Sequence, residues 1–328
     1  MPSGLVHLTS LQTLPRFIVG ENFSNSKLIG GPSVLNSLNF LRGELRIEHL
    51  EHVKNATSES KEANMKGKQY LQALRLYWYR EDDDGGDADD ALLEGLQPHQ
   101  NLKELHLCGY GCVRFSSWLM ASMVTLLPNL VKITFESCVR CQHLPPFGQL
   151  PFLKVLELYI LTALEYIDDD NTSPSSSNSA SEARGCLFFP SLKELKLYEL
   201  PLLKEWPREV VIVNNYGSTT AIAALQQQQE VSLLSFPCLT TLNIKDCPSL
   251  TSMPLLPNLE ELMIENVTEK LLQSLMMVAA TNSSTTSSSL ARLKSLRISS
   301  CPGPRISKGF GMVFCIPSFG VFGRKEIE

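Results

Sequence analysis

The sequence lacks several features that would assign it to common classes of protein. Its 328 residues contain no run of 18 apolar residues, so we expect no membrane span. Residues 1–7 hold no basic stretch ahead of an apolar one, which indicates no secretory signal. The 29 Lys and Arg are outnumbered by 34 Asp and Glu, which argues against a nucleic-acid-binding face. These absences favour a cytoplasmic protein, or one also present in the nucleus, that contacts no nucleic acid.

Signs of disulfide, metal and catalytic chemistry are also scarce. The nine cysteines are odd in number and scattered, which favours free thiols in a reducing compartment. Cys138 and Cys141 have C-x-x-C spacing, but no second ligand pair stands at the spacing of a zinc site. The six histidines form no evident triad, and no G-x-x-x-x-G-K-[ST] phosphate loop occurs. We therefore expect no enzymatic activity, no cofactor and no metal.

A repeated segment is the informative feature of this chain. Five segments read P-x-L-x-x-[LI]-x-[LIF], and they begin at Pro128, Pro151, Pro190, Pro237 and Pro257. Five further copies lack the proline or are looser, and they begin at Leu8, Leu41, Leu71, Leu102 and Leu293. Agreement across so many copies is not expected by chance. The sequence therefore consists of about nine or ten irregular repeats.

The spacing of the leucines predicts the fold. An L-x-L core has a period of two, which is typical of a short strand with one buried face. One such unit cannot bury its leucines alone, but stacked units can, and they then form a parallel sheet with a continuous leucine core. We predict an α/β leucine-rich repeat solenoid. Its curved parallel sheet would form the concave face, and irregular loops and short helices would form the convex face.

The repeats divide the chain into two parts. Residues 1–301 form the predicted repeat domain, with insertions near 81–90, 168–185, 208–232 and 279–289. Residues 302–328 form a tail without repeats, whose apolar side chains could cover the last repeat. We interpret the acidic run 81–90 as a solvated loop and residues 57–69 as a short charged helix. Cys138, Cys247 and Cys301 occupy the buried turn position that such repeats give to Asn or Cys.

Several stretches resemble a known family. They read LTSLQTLPRFIVG at 8–20, LRGELRI at 41–47, LRLYW at 74–78 and CVRCQHLPPFGQLP at 138–151. In combination they resemble the leucine-rich repeat domain of plant disease-resistance proteins of the coiled-coil nucleotide-binding class. The resemblance implies a role in plant defence. It implies that the repeats restrain an adjoining nucleotide-binding domain in its ADP state and help to recognise a pathogen effector or a guarded host protein.

Two alternatives stand beside this interpretation. A scaffold or substrate adaptor without an immune role could be built on the same repeats. An extracellular repeat protein is disfavoured, because such proteins have regular repeats of about 24 residues, a G-x-I-P turn and paired terminal cysteines. The phosphate loop and coiled coil of the resembled class do not occur in this chain. The resemblance therefore concerns the repeats alone.

The predicted binding site lies on the concave face. Residues between the buried leucines of each strand point away from the core, so they are free to contact a partner. The candidates are Arg75, Tyr77, Glu104, His106, Lys132, Glu136, Glu157, Tyr159, Glu194, Lys196, Tyr198 and Lys245. Tyr159 and Tyr198 belong to successive strands, so we expect them to lie about 5 Å apart. Exposed tyrosines are favoured interface anchors, although a tyrosine ladder could instead only stiffen the sheet.

Overall fold

The computed structural model describes most of the repeat region. The described residues are 3–20, 30–80, 86–167, 189–204, 206, 236–280 and 290–299. The predicted insertions near 168–185 and 208–232, most of the one near 279–289, Cys301 and the tail 302–328 lie outside these ranges.

Within the described residues, ten parallel strands form one sheet in chain order. They are β1 (Arg16–Ile18), β2 (Gly43–Glu48), β3 (Leu71–Tyr77), β4 (Glu104–Cys108), β5 (Lys132–Glu136), β6 (Val155–Tyr159), β7 (Glu194–Tyr198), β8 (Thr241–Lys245), β9 (Glu261–Glu265) and β10 (Ser295–Ser299). Each of the copies from Leu41 onward supplies one strand. The copy at Leu8 is different, because its strand begins after Pro15. The fully buried residue of this copy is Phe17 rather than Leu11.

The strands stack leucine on leucine. Leu156 pairs with Leu195, and Leu158 pairs with Leu197, in a register that continues through the neighbouring strands. These side chains are buried, and they belong to a single apolar cluster that extends along the described chain. Fully burying one leucine stabilises a fold by roughly 1.5–3 kcal/mol, so this column is the main stabilising feature of the sheet. The predicted parallel sheet with a leucine core is confirmed.

Short helices connect some of the strands. They are α1 (Ala56–Glu62), α2 (Gly86–Gly95), α3 (Ser117–Met120), α4 (Met123–Leu126) and α5 (Glu269–Ala280). The helix predicted over 57–69 is present as α1 followed by the 3₁₀ turn Met65–Gly67. The two are separate because Asn64 adopts a left-handed backbone with φ of 52°. Asparagine tolerates this conformation better than most residues, so it ends the helix there.

The acidic run 81–90 is not simply a solvated loop, and that interpretation is wrong for Asp89. Helix α2 begins at Gly86, and Asp89 in its first turn is only 1% exposed. Arg80 donates two hydrogen bonds to the Asp89 carboxylate, at 2.9 and 2.7 Å, and the Gly111 N–H donates a third at 3.2 Å. Burial raises the pKa of Asp89, and Arg80 opposes that shift. A buried carboxylate needs such partners, so this part of the run anchors α2.

Two of the three predicted turn cysteines are confirmed as buried. Cys138 and Cys247 are fully buried, and their thiols donate to backbone carbonyl oxygens, such as that of Lys245 at 3.3 Å from Cys247. Burial raises the pKa of each thiol to about 12. Both thiols therefore stay protonated at neutral pH, the form in which they donate these hydrogen bonds within the turns.

The turns after the strands share one backbone conformation. The residue after each of β5 to β9 has a left-handed φ between 50° and 57°, at Ser137, Ile160, Glu199, Asp246 and Asn266. After β4 the same place is taken by Gly109, with φ of 74°.

The last described strand is less covered than the others. Leu296 and Ile298 of β10 are 41% and 44% exposed, whereas Leu262 and Ile264 beside them are buried. β10 is the last described strand of the sheet, and β9 is its described neighbour.

Candidate protein-recognition face

The residues between the leucines form ordered columns on the face of the sheet opposite the core, which we call the solvent face. One column runs through Tyr77, Cys108, Glu136, Tyr159, Tyr198 and Lys245. The next runs through Arg75, His106, Thr134, Glu157, Lys196 and Asn243. The third runs through Ala73, Glu104, Lys132, Val155, Glu194 and Thr241. The expectation that the residues between the buried leucines lie on the face opposite the core is therefore confirmed.

The predicted site residues are less exposed than expected. Ten of the twelve are half-buried, whereas Tyr77 and Glu157 are buried, with 8% and 7% of their surfaces exposed. The expectation that these two are surface-exposed is wrong. Strands in a sheet lie about 4.8 Å apart, so long side chains in adjacent rows cover one another.

Glu157 is the centre of a charged cluster on this face. Lys132 and Lys196 each lie 2.9 Å from its carboxylate, and the Thr134 hydroxyl donates to it at 2.9 Å. Burial alone would raise the pKa of Glu157, but these hydrogen bonds outweigh it and the pKa is lowered. Lys196 also lies 2.7 Å from Glu194, and the two carboxylates raise its pKa despite desolvation. The cluster is internally paired, so this part of the solvent face carries alternating charges in a fixed arrangement.

Two tyrosines lie beside this cluster. The ring centroids of Tyr159 and Tyr198 are 5.2 Å apart with an interplanar angle of 71°, an edge-to-face arrangement. The predicted separation of about 5 Å is confirmed. Burial raises the pKa of Tyr159 to about 12, so its hydroxyl keeps its proton at neutral pH and can donate a hydrogen bond.

His106 connects two columns. Its Nε2 lies 3.1 Å from Glu136, and its Nδ1 lies 3.3 Å from the Tyr77 hydroxyl and 3.5 Å from Arg75. Burial lowers the pKa of His106, against the attraction of Glu136. The neutral ring therefore donates from Nε2 to the carboxylate and accepts at Nδ1, a tautomer assigned from its partners.

The solvent face extends further towards the N-terminus than the sequence indicated. Arg16 pairs with Arg46, and Arg46 pairs with Arg75, in the central column. Both Arg16 and Arg46 lie 2.5 Å from the carboxylate of Glu48, which is fully buried. The leucine spacing places Arg46 between Leu45 and Ile47, but it does not place Arg16, because the strand of the copy at Leu8 begins only after Pro15.

An aromatic cluster at this end includes an exposed ring. The Arg46 guanidinium lies 4.0 Å from the Tyr77 ring centroid and donates to the Tyr79 hydroxyl at 2.9 Å. The rings of Tyr77 and Tyr79 are stacked 5.8 Å apart, and Tyr79 is 45% exposed. Arginine and tyrosine are the side chains most enriched at interface hot spots. Tyr79 follows β3 rather than lying within it, so the column pattern alone did not include it.

The strand order, the register and the repeated leucines define a leucine-rich repeat protein. Residues 33–161 match the family model described as R13L1/DRL21 LRRs. The match covers the repeats that supply β2 to β6.

Two proteins of Solanum bulbocastanum named as disease resistance proteins are similar in sequence. RGA4 is 39% identical over 207 residues, which cover 62% of this chain and 19% of that protein. RGA2 is 30% identical over 246 residues, which cover 74% of this chain and 22% of that protein. The matched region thus spans about a fifth of the length of these relatives. Together, the family match and these relatives show that the chain carries leucine-rich repeats of the plant disease-resistance type.

One solved structure also aligns with this chain, the leucine-rich repeat domain of the type III effector XopL. The alignment covers 62% of this chain and 66% of the other, with 16% identity and a TM-score of 0.31. The fold assignment rests on the strand order and register of this chain itself. Within the described residues, no helix combines the length and apolar character that crossing a bilayer requires.

Proposed function

We propose that the chain is the protein-recognition module of a plant immune receptor and that its solvent face binds the partner. The candidate partners are the nucleotide-binding domain of a receptor, a pathogen effector and a guarded host protein. The module would comprise residues 1–301, with the tail 302–328 outside it. The names of the relatives support the role in defence.

One observation carries the choice of surface. Half-buried aromatic and charged side chains stand in register on the solvent face, and the leucine core supports them from behind. Rigid aromatic anchors next to paired charges are typical of protein interfaces, where pre-organised side chains lose little entropy on binding. Binding, rather than catalysis, is the activity that we assign to this surface.

The cysteines bear on the location of the protein. All six described cysteines are free thiols, and Cys112, Cys138, Cys141 and Cys247 are buried. Free buried thiols fit a reducing compartment, which supports a cytoplasmic location, or one that includes the nucleus.

The test compares binding by variants of the solvent face. Wild type and the double variant Tyr159→Ala/Tyr198→Ala are titrated with a separately expressed nucleotide-binding domain from a related resistance protein. We expect the double variant to bind at least about tenfold more weakly, because truncating hot-spot tyrosines typically costs 2 kcal/mol or more. Tyr70→Ala is the matched control, since Tyr70 is 43% exposed and lies just before β3, outside the columns.

The outcomes separate the site from the function. Equal binding by wild type and the tyrosine variant would remove these two residues from the site. Absence of binding by the wild type would leave an effector or a guarded host protein as the partner to test. Binding only to proteins unrelated to defence would favour the scaffold or adaptor alternative.

A further inference from the structure

Three potential metal ligands meet at the end of β2. Leu50–His52 forms a 3₁₀ turn directly after this strand, and His49 precedes the turn with a left-handed φ of 61°. Residues other than glycine rarely adopt this conformation. The His52 N–H donates to the His49 carbonyl oxygen at 3.1 Å, which closes the turn. The side chains of His49, Glu51 and His52 come together as a result.

The distances between the ligand atoms suit a small cation. Nδ1 of His49 lies 2.9 Å from Oε1 of Glu51, and Nε2 of His52 lies 3.6 Å from the same oxygen. All three ligand atoms lie within 4.8 Å of one another. In a tetrahedral zinc site, bonds of about 2.0–2.2 Å place ligand atoms roughly 3.3 Å apart. The nitrogen–oxygen distances are close to that value, so binding mainly requires the two imidazole nitrogens to approach.

The carboxylate of Glu51 is held in one orientation by the protein. Glu51 is only 10% exposed, and its second oxygen, Oε2, accepts a hydrogen bond from the Tyr79 N–H at 2.9 Å. Oε1 is thereby directed at the histidines. A hydrogen bond to the far side of a ligand is a usual feature of metal sites, because it fixes the ligand's orientation. Rotation of a histidine ring about its Cβ–Cγ bond is soft, so both nitrogens can turn towards one ion.

The two histidine rings already lie side by side. The rings of His49 and His52 are nearly parallel, with centroids 5.2 Å apart. This arrangement keeps one nitrogen of each ring near Oε1 of Glu51, at 2.9 and 3.6 Å.

The donor set selects the kind of ion. Calcium and magnesium prefer oxygen ligands, whereas imidazole nitrogen suits zinc and its transition-metal neighbours. The side chains of His49 and His52 are 37% and 24% exposed, so a fourth position can be filled by water. We propose that His49, Glu51 and His52 form a Zn²⁺ site with an open fourth position. Bound there, the ion would join the turn after β2 to the backbone at Tyr79 and stiffen that end of the solvent face.

The full chain, freed of metal by chelation and dialysis, is titrated with Zn²⁺ by calorimetry and with Co²⁺ by visible spectroscopy. We expect one ion per chain and the intense d–d absorption of tetrahedral Co²⁺. His49→Gln/His52→Gln should bind each ion at least roughly tenfold more weakly. Glu51 is left intact because Tyr79 depends on it. His7→Gln, which replaces an exposed histidine far along the chain, should bind as wild type does.

Several outcomes would overturn the proposal. Wild-type affinity in the double variant would place the ion elsewhere, and no binding by the wild type would leave only a hydrogen-bonded cluster. A sulfur-to-cobalt charge-transfer band would put the ion on a cysteine such as the exposed Cys238. Because the double variant could fail to fold, a second measurement uses the wild type alone. Paramagnetic NMR of the Co²⁺ form should show two shifted imidazole N–H signals, and fewer than two would contradict the site.

Discussion

The ammonium group of Lys68 lies in the core and donates a 2.7 Å hydrogen bond to the carbonyl oxygen of Leu35, with a longer one of 3.4 Å to Leu38. Lys68 is fully buried, and no carboxylate is among these partners. Desolvation lowers the pKa of Lys68 from 10.5 to about 8. The lysine thus joins the segment before β2 to the segment before β3.

The titration of Lys68 predicts an unusual pH dependence of stability. Between about pH 8 and 10.5 the unfolded chain binds a proton that the folded chain has released, so the free energy of unfolding rises with pH. The rise attributable to Lys68 is on the order of 3 kcal/mol. Urea unfolding of wild type and Lys68→Met is measured at pH 7 and pH 10. The change in unfolding free energy between the two pH values is then compared between the proteins, because groups that titrate in both cancel and the contribution of Lys68 remains. Lys66→Met, at an exposed position in the same turn, should show no such difference.

The anchoring of α2 gives a second prediction. Asp89→Asn removes the bidentate pair with Arg80 and leaves the guanidinium without its charge partner. We expect the free energy of unfolding to fall by about 3 kcal/mol. Asp87→Asn alters an exposed residue of the same helical turn and should cost less than about 1 kcal/mol. Equal losses in the two variants, measured by chemical denaturation, would show that Asp89 acts only through the helix dipole.

Two glycines with the same backbone conformation provide a third test. Gly43 and Gly109 both have φ of 74°, so alanine is strained at either position by roughly 1–2 kcal/mol. A Cβ at Gly109 would lie 2.0 Å from the Trp78 carbonyl oxygen, whereas a Cβ at Gly43 meets nothing within 4 Å. Gly109→Ala should therefore lower the melting temperature clearly more than Gly43→Ala does. Matching melting temperatures would mean that the backbone of Trp78 yields without cost.

The tyrosine pair can be tested for a stiffening role that is independent of binding. A double-mutant cycle with Tyr159→Ala and Tyr198→Ala should give a coupling of about 0.5–1.5 kcal/mol in unfolding free energy, as expected for an edge-to-face pair. A cycle that joins Tyr159 to the distant Tyr70 should give none. Strong coupling together with unchanged partner binding would support the tyrosine-ladder alternative. No coupling would mean that the two rings contribute separately.

The strands and their register could be predicted from the sequence, because buried leucines alternate with outward-facing residues along each strand. Leu156 and Leu195 occupy equivalent places in their repeats, so stacking the repeats also sets the neighbours of Glu157 and Tyr159. The columns of the solvent face were predictable because each residue between two buried leucines must face away from the core.

Features set by irregular backbone could not be predicted in this way. His49 meets His52 because of a left-handed residue, and Tyr79 reaches Glu51 from beyond the end of β3. Asp89 stands within a run of acidic residues, and only the position of Arg80 shows that it differs from its neighbours. In each case a contact between residues outside the repeat pattern determines the role of the side chain.

The apolar side chains of Leu296 and Ile298 on β10 have an evolutionary consequence. A duplicated repeat placed after this strand would meet a leucine surface that already matches its own, so the array could lengthen without any change to the existing core. Each added unit would also contribute three new outward positions. Unequal recombination could thus enlarge the solvent face while the older repeats stay folded.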